Sequence, residues 1–131
     1  MSVRKGIAAF ALAAACLRFE PEIVEISGRL ELRSFPGPPN YESVADGDDE
    51  ERAFILVLAE AVCVDARPGS GLNEWPLSGI REVHAYSSKV ELAKLVGKRV
   101  SLSGTLFTGH TGHHHAPVVL EVTSARSEHE R

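Results

Sequence analysis

The chain has 131 residues, 44% of them hydrophobic and 24% charged, which is the length and balance of one folded domain. Its formal net charge is −4 with the histidines neutral. This charge argues against a nucleic-acid partner, because a protein that binds a polyanion needs a basic face to displace counterions.

The first fifteen residues have the pattern of a secretory signal peptide. Arg4 and Lys5 precede the apolar run GIAAFALAAA, and an A-x-A-like cleavage site stands directly before Cys16. A run this short does not span a bilayer. We therefore predict that residues 1–15 are removed, that the mature chain has no transmembrane segment, and that the protein is exported to the periplasm or secreted. A buried N-terminal helix is the alternative.

The chain has two cysteines, Cys16 and Cys63. In an exported protein an even number of cysteines favours a disulfide. LAAAC also loosely resembles a lipoprotein cleavage box, in which Cys16 would be lipidated instead. Because Ala13 stands where such boxes prefer Leu, we favour the disulfide between the two cysteines.

Apolar periodicity predicts most of the secondary structure. Alternating or continuous apolar segments predict five strands, at 24–32, 53–66, 79–86, 98–108 and 116–125. Proline, glycine and acidic residues predict long loops at 35–51 and 67–76. The last residues, 127–131, form a charged tail that we expect to fray.

A helix is predicted between the third and fourth strands. In SKVELAKLVG, residues 88–97, Ser88 and Glu91 have the spacing of a capping box. Gly97 suits the left-handed position that follows the last turn of a helix.

The order strand, strand, strand, helix, strand, strand resembles the oligonucleotide/oligosaccharide-binding fold, which is a five-stranded Greek-key barrel. Gly28 and Gly104 each stand inside an alternating strand, where a glycine often marks the bend or bulge that a small barrel requires. The sequence therefore predicts a mainly β protein, with one barrel domain over 16–126 and one short helix. An open α+β sheet is the alternative.

Four of the six histidines lie in one turn, TGHTGHHHAP, as His110, His113, His114 and His115. His113 and His115 are two residues apart, so on an extended backbone their side chains point the same way. With His110 they form a candidate site for a borderline metal such as Zn²⁺ or Cu²⁺. The alternative is a polar hairpin end whose imidazoles bind carboxylates and water. His84 and His129 receive no predicted role.

In the predicted fold, loops 35–51 and 108–116 flank one binding face and become neighbours. Acidic residues of the first loop would then complete or orient the metal shell, and its tyrosine could stack on a ligand. The acidic run 46–51 lacks the order of an EF-hand, so Ca²⁺ is a weaker prediction. The candidate ligand-binding residues are Tyr41, Glu42, Asp46, Asp48 and His114.

Several long motifs together resemble an exported bacterial family, the domain of unknown function numbered 4431. They are CLRFEPEIVEISGRL, FPGPPNYES, VCVD, LVGKRVSLSGTLF and HTGHHHAPV, and they span residues 16–123. The resemblance implies bacterial export, a small β-rich domain and a disulfide that joins Cys16 to Cys63. It also implies that relatives often have a further histidine at the position of Thr108. This chain lacks that side chain, which weakens the prediction of a metal site that needs every ligand. The family has no established activity to carry over.

The sequence contains no nucleophile elbow, P-loop or HExxH motif, so we predict no catalytic residue. We expect a binding module of the cell envelope, with its ligand surface on loops 35–51 and 108–116. One alternative is a metal carrier or metal-dependent enzyme that uses the histidine turn, with Glu42 as the base. The other is an interaction module that docks a second envelope protein.

Overall fold

The computed structural model describes residues 15–128. Nearly all of the predicted signal peptide, and also His129, lie outside the described residues. The strands are β1 (Leu17–Arg18), β2 (Val24–Pro36), β3 (Glu50–Asp65), β4 (Leu77–Tyr86), β5 (Arg99–Thr108) and β6 (Val118–Ser127). One 3₁₀ turn, Leu92–Leu95, lies between β4 and β5.

Five of the strands close into a barrel. Their order is β3-β2-β5-β6-β4, and β4 pairs back onto β3. The β4–β6 pairing is parallel, and the other barrel pairings are antiparallel. This is the connectivity of the five-stranded barrel that the sequence predicts, so the predicted fold class is confirmed. The short β1 adds to the end of β3 as a parallel strand.

The core lies inside the barrel and follows the predicted alternation. The inward residues of β5 and β6 are at most 1% exposed; they are Val100, Leu102, Leu106, Val118, Leu120 and Val122. Leu32 departs from the predicted inward face of β2 and is 41% exposed. Beyond Arg29, β2 no longer pairs with β5 and continues beside β3. The loss of that neighbour leaves Leu32 at an open end of the barrel.

The two strand glycines mark places where backbones approach closely. A Cβ at Gly104 would lie 1.9 Å from the carbonyl oxygen of Glu121, and the β5–β6 register shifts between Ser103 and Gly104. The bulge predicted there is confirmed. A Cβ at Gly28 would lie 2.5 Å from the carbonyl oxygen of Val57, next to the point where β2 changes partners. A side chain at either position would force strands of the barrel apart.

The predicted helix over 88–97 shrinks to the single 3₁₀ turn, and the predicted capping box is wrong. Glu91 precedes the turn without a side-chain cap. The hydroxyl of Ser87, rather than Ser88, accepts hydrogen bonds from the backbone amides of Lys89 and Val90. These two amides are therefore already hydrogen-bonded to a side chain, which competes with the formation of a longer helix. Gly97 has φ +86°, as predicted for a glycine after the last turn.

The predicted loop 35–51 is shorter than expected. Phe35 pairs with Glu51, and Pro36 pairs with Glu50, so both ends of the segment belong to strands. The connection that remains is 37–49, which we call the acidic loop. The connection 109–117 between β5 and β6 is called the histidine loop.

The predicted disulfide is confirmed. Cys16 and Cys63 are bonded, with 4.8 Å between their Cα atoms, inside the range that disulfides require. The bond fastens the residue before β1 to the end of β3, where β1 pairs in parallel. Within residues 15–128, no helix has the length and apolar character needed to cross a membrane.

Candidate functional site

The histidine loop lies against the outer surface of the barrel. Register places Ile55, His84, Val119 and Phe107 in one row across β3, β4, β6 and β5. Their neighbours along each strand fill the core, so these four side chains point outward. Ile55 and Val119 are nevertheless fully buried. This part of the outer surface is therefore covered by other parts of the chain.

Glu51 joins two imidazoles of the histidine loop. Its Oε2 lies 2.6 Å from Nδ1 of His113, and its Oε1 lies 2.7 Å from Nε2 of His115. These contacts lower the pKa of Glu51, mainly through the hydrogen bond from His115. The carboxylate is therefore ionised at neutral pH and only accepts hydrogen bonds. When neutral, His113 must carry its proton on Nδ1 and His115 on Nε2.

The two imidazoles beside Glu51 differ in burial. The His115 ring stacks on Phe35, with centroids 4.2 Å apart and planes 7° apart, and its side chain is 9% exposed. The His113 side chain is 62% exposed. His115 therefore anchors the loop to the barrel, whereas His113 borders solvent.

His84 and His114 accept hydrogen bonds from the backbone of the histidine loop. The amide of His115 donates to Nδ1 of His84 at 3.1 Å. The amides of His110 and Thr111 donate to Nδ1 of His114 at 3.0 and 3.2 Å. A nitrogen that accepts a hydrogen bond carries no proton, so both neutral rings are protonated on Nε2.

Burial keeps these two rings uncharged at neutral pH. Burial, together with the nearby His115 and His114, lowers the pKa of His84 to about 4. Burial also lowers the pKa of His114, with His110 as the next cause. Protonation of either Nδ1 would turn an acceptor of a backbone amide into a donor. Neutral rings at these two positions are thus part of the loop's structure.

His110 lies apart from the Glu51 cluster. Its Nδ1 is 2.9 Å from the carbonyl oxygen of Thr108, and its ring lies edge-on to Phe107 and His114. A carbonyl oxygen only accepts, so the neutral ring is protonated on Nδ1. Of the three predicted metal ligands, the structure brings His113 and His115 to one carboxylate and places His110 elsewhere.

The acidic loop and the histidine loop are neighbours, as the predicted fold requires. The hydroxyl of Tyr41 lies 3.2 Å from Nε2 of His113, and the two rings meet edge to face. A Cβ at Gly112 would lie 2.7 Å from the Tyr41 ring, so the histidine loop needs a glycine there. Tyr41 has a positive φ of 58°, which a non-glycine residue rarely adopts.

Asp48 holds the acidic loop together. Its carboxylate accepts backbone hydrogen bonds from Asn40, Glu42 and Ser43 at 2.8 to 3.0 Å, and the residue is 6% exposed. These bonds lower the pKa of Asp48, with the one from Ser43 as the largest cause. Its oxygens face the loop's own amides, whereas Glu42 and Asp46 are exposed at the surface.

A cleft of about 320 Å³ opens beside the histidine loop. It lies against β3 and β4, the strands that form the ligand face of this fold. Its lining combines a carboxylate, a guanidinium, imidazoles and two aromatic rings: Glu51, Arg52, His84, Tyr86, Phe107, His113 and His114. Such a mixture of apolar surface and convergent polar groups is typical of small-ligand sites.

A second cleft of about 450 Å³ lies by the loop between β3 and β4. It is larger, but its lining has no aromatic ring and no imidazole: Glu20, Pro21, Arg67, Ser70, Leu72, Asn73 and Thr105. Among the residues that the structure describes, the cleft beside the histidine loop is therefore the better candidate.

No group of three His, Cys, Asp or Glu side chains within residues 15–128 is arranged to hold a metal ion. The nearest approach is His113–Glu51–His115, where nitrogen and oxygen meet as hydrogen-bonded pairs. The residues therefore fit a metal only in the type of their donor atoms, imidazole nitrogen and carboxylate oxygen. A bound ion would have to replace both hydrogen bonds between Glu51 and the two histidines.

Sequence reasoning missed several residues of this site. In the sequence, Glu51 belongs only to an acidic run, whereas its pairing with the outward Phe35 places it on the barrel surface. The sequence assigns no role to His84, and it indicates only strand positions for Phe107 and Tyr86. The alternation of β4 was the signal that could have found them, because His84 and Tyr86 flank the core residue Ala85.

Residues 86–126 match the family model described as Domain of unknown function (DUF4431), which confirms the predicted resemblance over this segment. The segment runs from the last residue of β4 nearly to the end of β6 and contains the whole histidine loop. Glu51, His84 and the acidic loop precede it. No curated protein matches the chain.

Proposed function

We propose that the protein is an exported binding module, periplasmic or secreted, that holds a small ligand in the cleft beside the histidine loop. The observation that carries this proposal is the cleft's position. It lies on the β3–β4 face, beside the loop that contains four histidines, and has polar groups from two strands and a loop around two aromatic rings. The disulfide and the absence of a spanning helix within residues 15–128 are compatible with export.

The rigidity of the cleft favours binding. The histidine loop is fixed by five hydrogen bonds that involve His84, His114 and Glu51, and by the stack of His115 on Phe35. A preorganised site loses little conformational freedom when a ligand enters. In the described residues, no serine, threonine or cysteine lines the cleft as a nucleophile, so binding without catalysis is the simpler proposal.

Two alternatives remain as proposals. In the first, Zn²⁺ or Cu²⁺ binds between His113, His115 and Glu51, whose donor types suit these ions. In the second, the same face docks a second envelope protein, with the exposed Tyr86 as a contact.

A fragment screen by NMR tests the proposal. The disulfide-bonded protein is titrated with neutral, anionic and cationic fragments while backbone and side-chain shifts are followed. We expect hits to shift His84, Phe107 and His114, and Phe107→Ala to weaken them. Trp75→Ala is the matched control, because Trp75 is 77% exposed and does not line the cleft.

Hits scattered over the surface, or hits unaffected by Phe107→Ala, would contradict a ligand site at this cleft. Shifts produced by Zn²⁺ alone at His113 and His115 would favour the metal alternative. Line broadening by a second protein, without any fragment hit, would favour the docking alternative.

A further inference from the structure

We infer that the cleft takes a ligand with an anionic oxo group, a carboxylate or a phosphate, joined to a ring or apolar part. The inference rests on the proposed binding function and names the chemical class of its ligand. It follows from the hydrogen-bond donors, the charge and the aromatic surface that the cleft presents.

The imidazoles supply donors of fixed direction. His84 and His114 each accept backbone hydrogen bonds at Nδ1, so each neutral ring has its proton on Nε2. The Nε2–H bond points away from the backbone that the ring binds, and both rings line the cleft. The backbone of the loop thus fixes the tautomer of both imidazoles, so that each can donate a hydrogen bond from Nε2. A ligand that binds these two groups needs an acceptor atom.

Arg52 supplies the positive charge. Among the described residues that line the cleft, it is the one with a permanently charged cationic group. Its contact with Glu50 is long, 4.0 Å, and both side chains are exposed, so the pair is weak. A guanidinium binds carboxylates and phosphates through two parallel hydrogen bonds.

Glu51 is the one described carboxylate in the lining, and its acceptor atoms are already in use. One oxygen accepts from His113 and the other from His115. The ligand therefore competes with no open carboxylate for the donors of the cleft.

The aromatic rings shape the rest of the ligand. Phe107 and Tyr86 meet edge to face, with centroids 6.4 Å apart, and Tyr86 is 42% exposed. A volume of about 320 Å³ is near the lower limit for small-molecule sites. A single ring with one acidic group is therefore the appropriate size.

Calorimetry and NMR with four single-ring probes test the inference. Benzoate carries the carboxylate, phenyl phosphate the phosphate, benzyl alcohol no charge and benzylamine a positive charge. We expect one or both anionic probes to bind at millimolar affinity and to shift His84 and His114. The neutral and cationic probes should bind at least about tenfold more weakly.

Matched variants separate charge from structure. Arg52→Gln should weaken the anionic probe about tenfold, whereas Arg81→Gln makes the same change in net charge outside the cleft and should have no effect. His84→Asn keeps an acceptor oxygen for the amide of His115 but removes the Nε2–H donor. It should therefore weaken the probe without changing the melting temperature strongly.

The outcomes distinguish this inference from the proposed function. Preferential binding of benzyl alcohol or benzylamine at His84 and His114 would overturn the anionic ligand and leave the binding site intact. Binding of no fragment in the cleft would overturn both. Equal weakening by Arg52→Gln and Arg81→Gln would show a general charge effect and would also overturn the inference.

Discussion

Loss of the Cys16–Cys63 disulfide should destabilise the domain strongly. The bond spans 47 residues of sequence, for which the chain-entropy model gives about 4 kcal/mol at 25 °C. It also fastens β1 to the end of β3, so its loss frees the start of the domain as well. For a domain of this size, about 4 kcal/mol corresponds to a fall of about 15 °C in melting temperature.

Thermal and denaturant unfolding measure this effect. The oxidised protein, the reduced protein and the variant Cys16→Ala/Cys63→Ala are compared under the same conditions. We expect the reduced protein and the variant to unfold at similar, lower temperatures, and reductant to leave the variant unchanged. An oxidised protein whose melting temperature does not change with reductant, or one with two free thiols by mass spectrometry, would refute the reasoning.

Four further predictions concern the barrel and the two loops. Gly104→Ala should destabilise the fold by about 3 kcal/mol in denaturant unfolding, because its Cβ would meet the β6 backbone; a loss below about 1 kcal/mol would contradict the close approach of the two strands. Asp48→Ala should lower the melting temperature and broaden the amide signals of the acidic loop, because three amides lose their acceptor; an unchanged spectrum would contradict this role. As the pH falls from 6.5 toward about 4, His84 takes up a proton in the unfolded chain but not in the folded one, so the free energy of unfolding should fall. After a discount for partial exposure we expect about 1–2 kcal/mol, and His84→Asn should remove this part of the pH dependence. Calorimetry with Zn²⁺ should show no saturable micromolar binding, because His113 and His115 already donate to one carboxylate; tight binding that the double alanine variant abolishes would contradict that expectation.

The barrel could be predicted because its signals are local and repeated. Alternation in β5 and β6 assigns the inward face directly, and Gly104 reveals a bulge within one strand. The disulfide followed from an even number of cysteines. The helix could not be predicted as well, because Ser88 and Glu91 have the spacing of a capping box, whereas the hydroxyl of Ser87 binds the amides of Lys89 and Val90 instead.

The site was only partly predictable, because its contacts join residues far apart in the chain. That His113 and His115 point the same way follows from their spacing, but their common partner Glu51 lies 62 and 64 residues earlier. His84 becomes a partner of the loop only when β4 and β6 pair in parallel. Which ring nitrogen carries the proton depends on these tertiary contacts and cannot be read from sequence.

The central claim is that backbone amides of the histidine loop hold His84 and His114 as neutral imidazoles, which present their Nε2–H groups as donors in the lining of the cleft. A long-range ¹H–¹⁵N correlation spectrum of the imidazoles in the disulfide-bonded protein at neutral pH tests it most directly. The account predicts neutral rings protonated on Nε2 for His84 and His114. Charged rings at His84 and His114, or protons on their Nδ1 atoms, would contradict it.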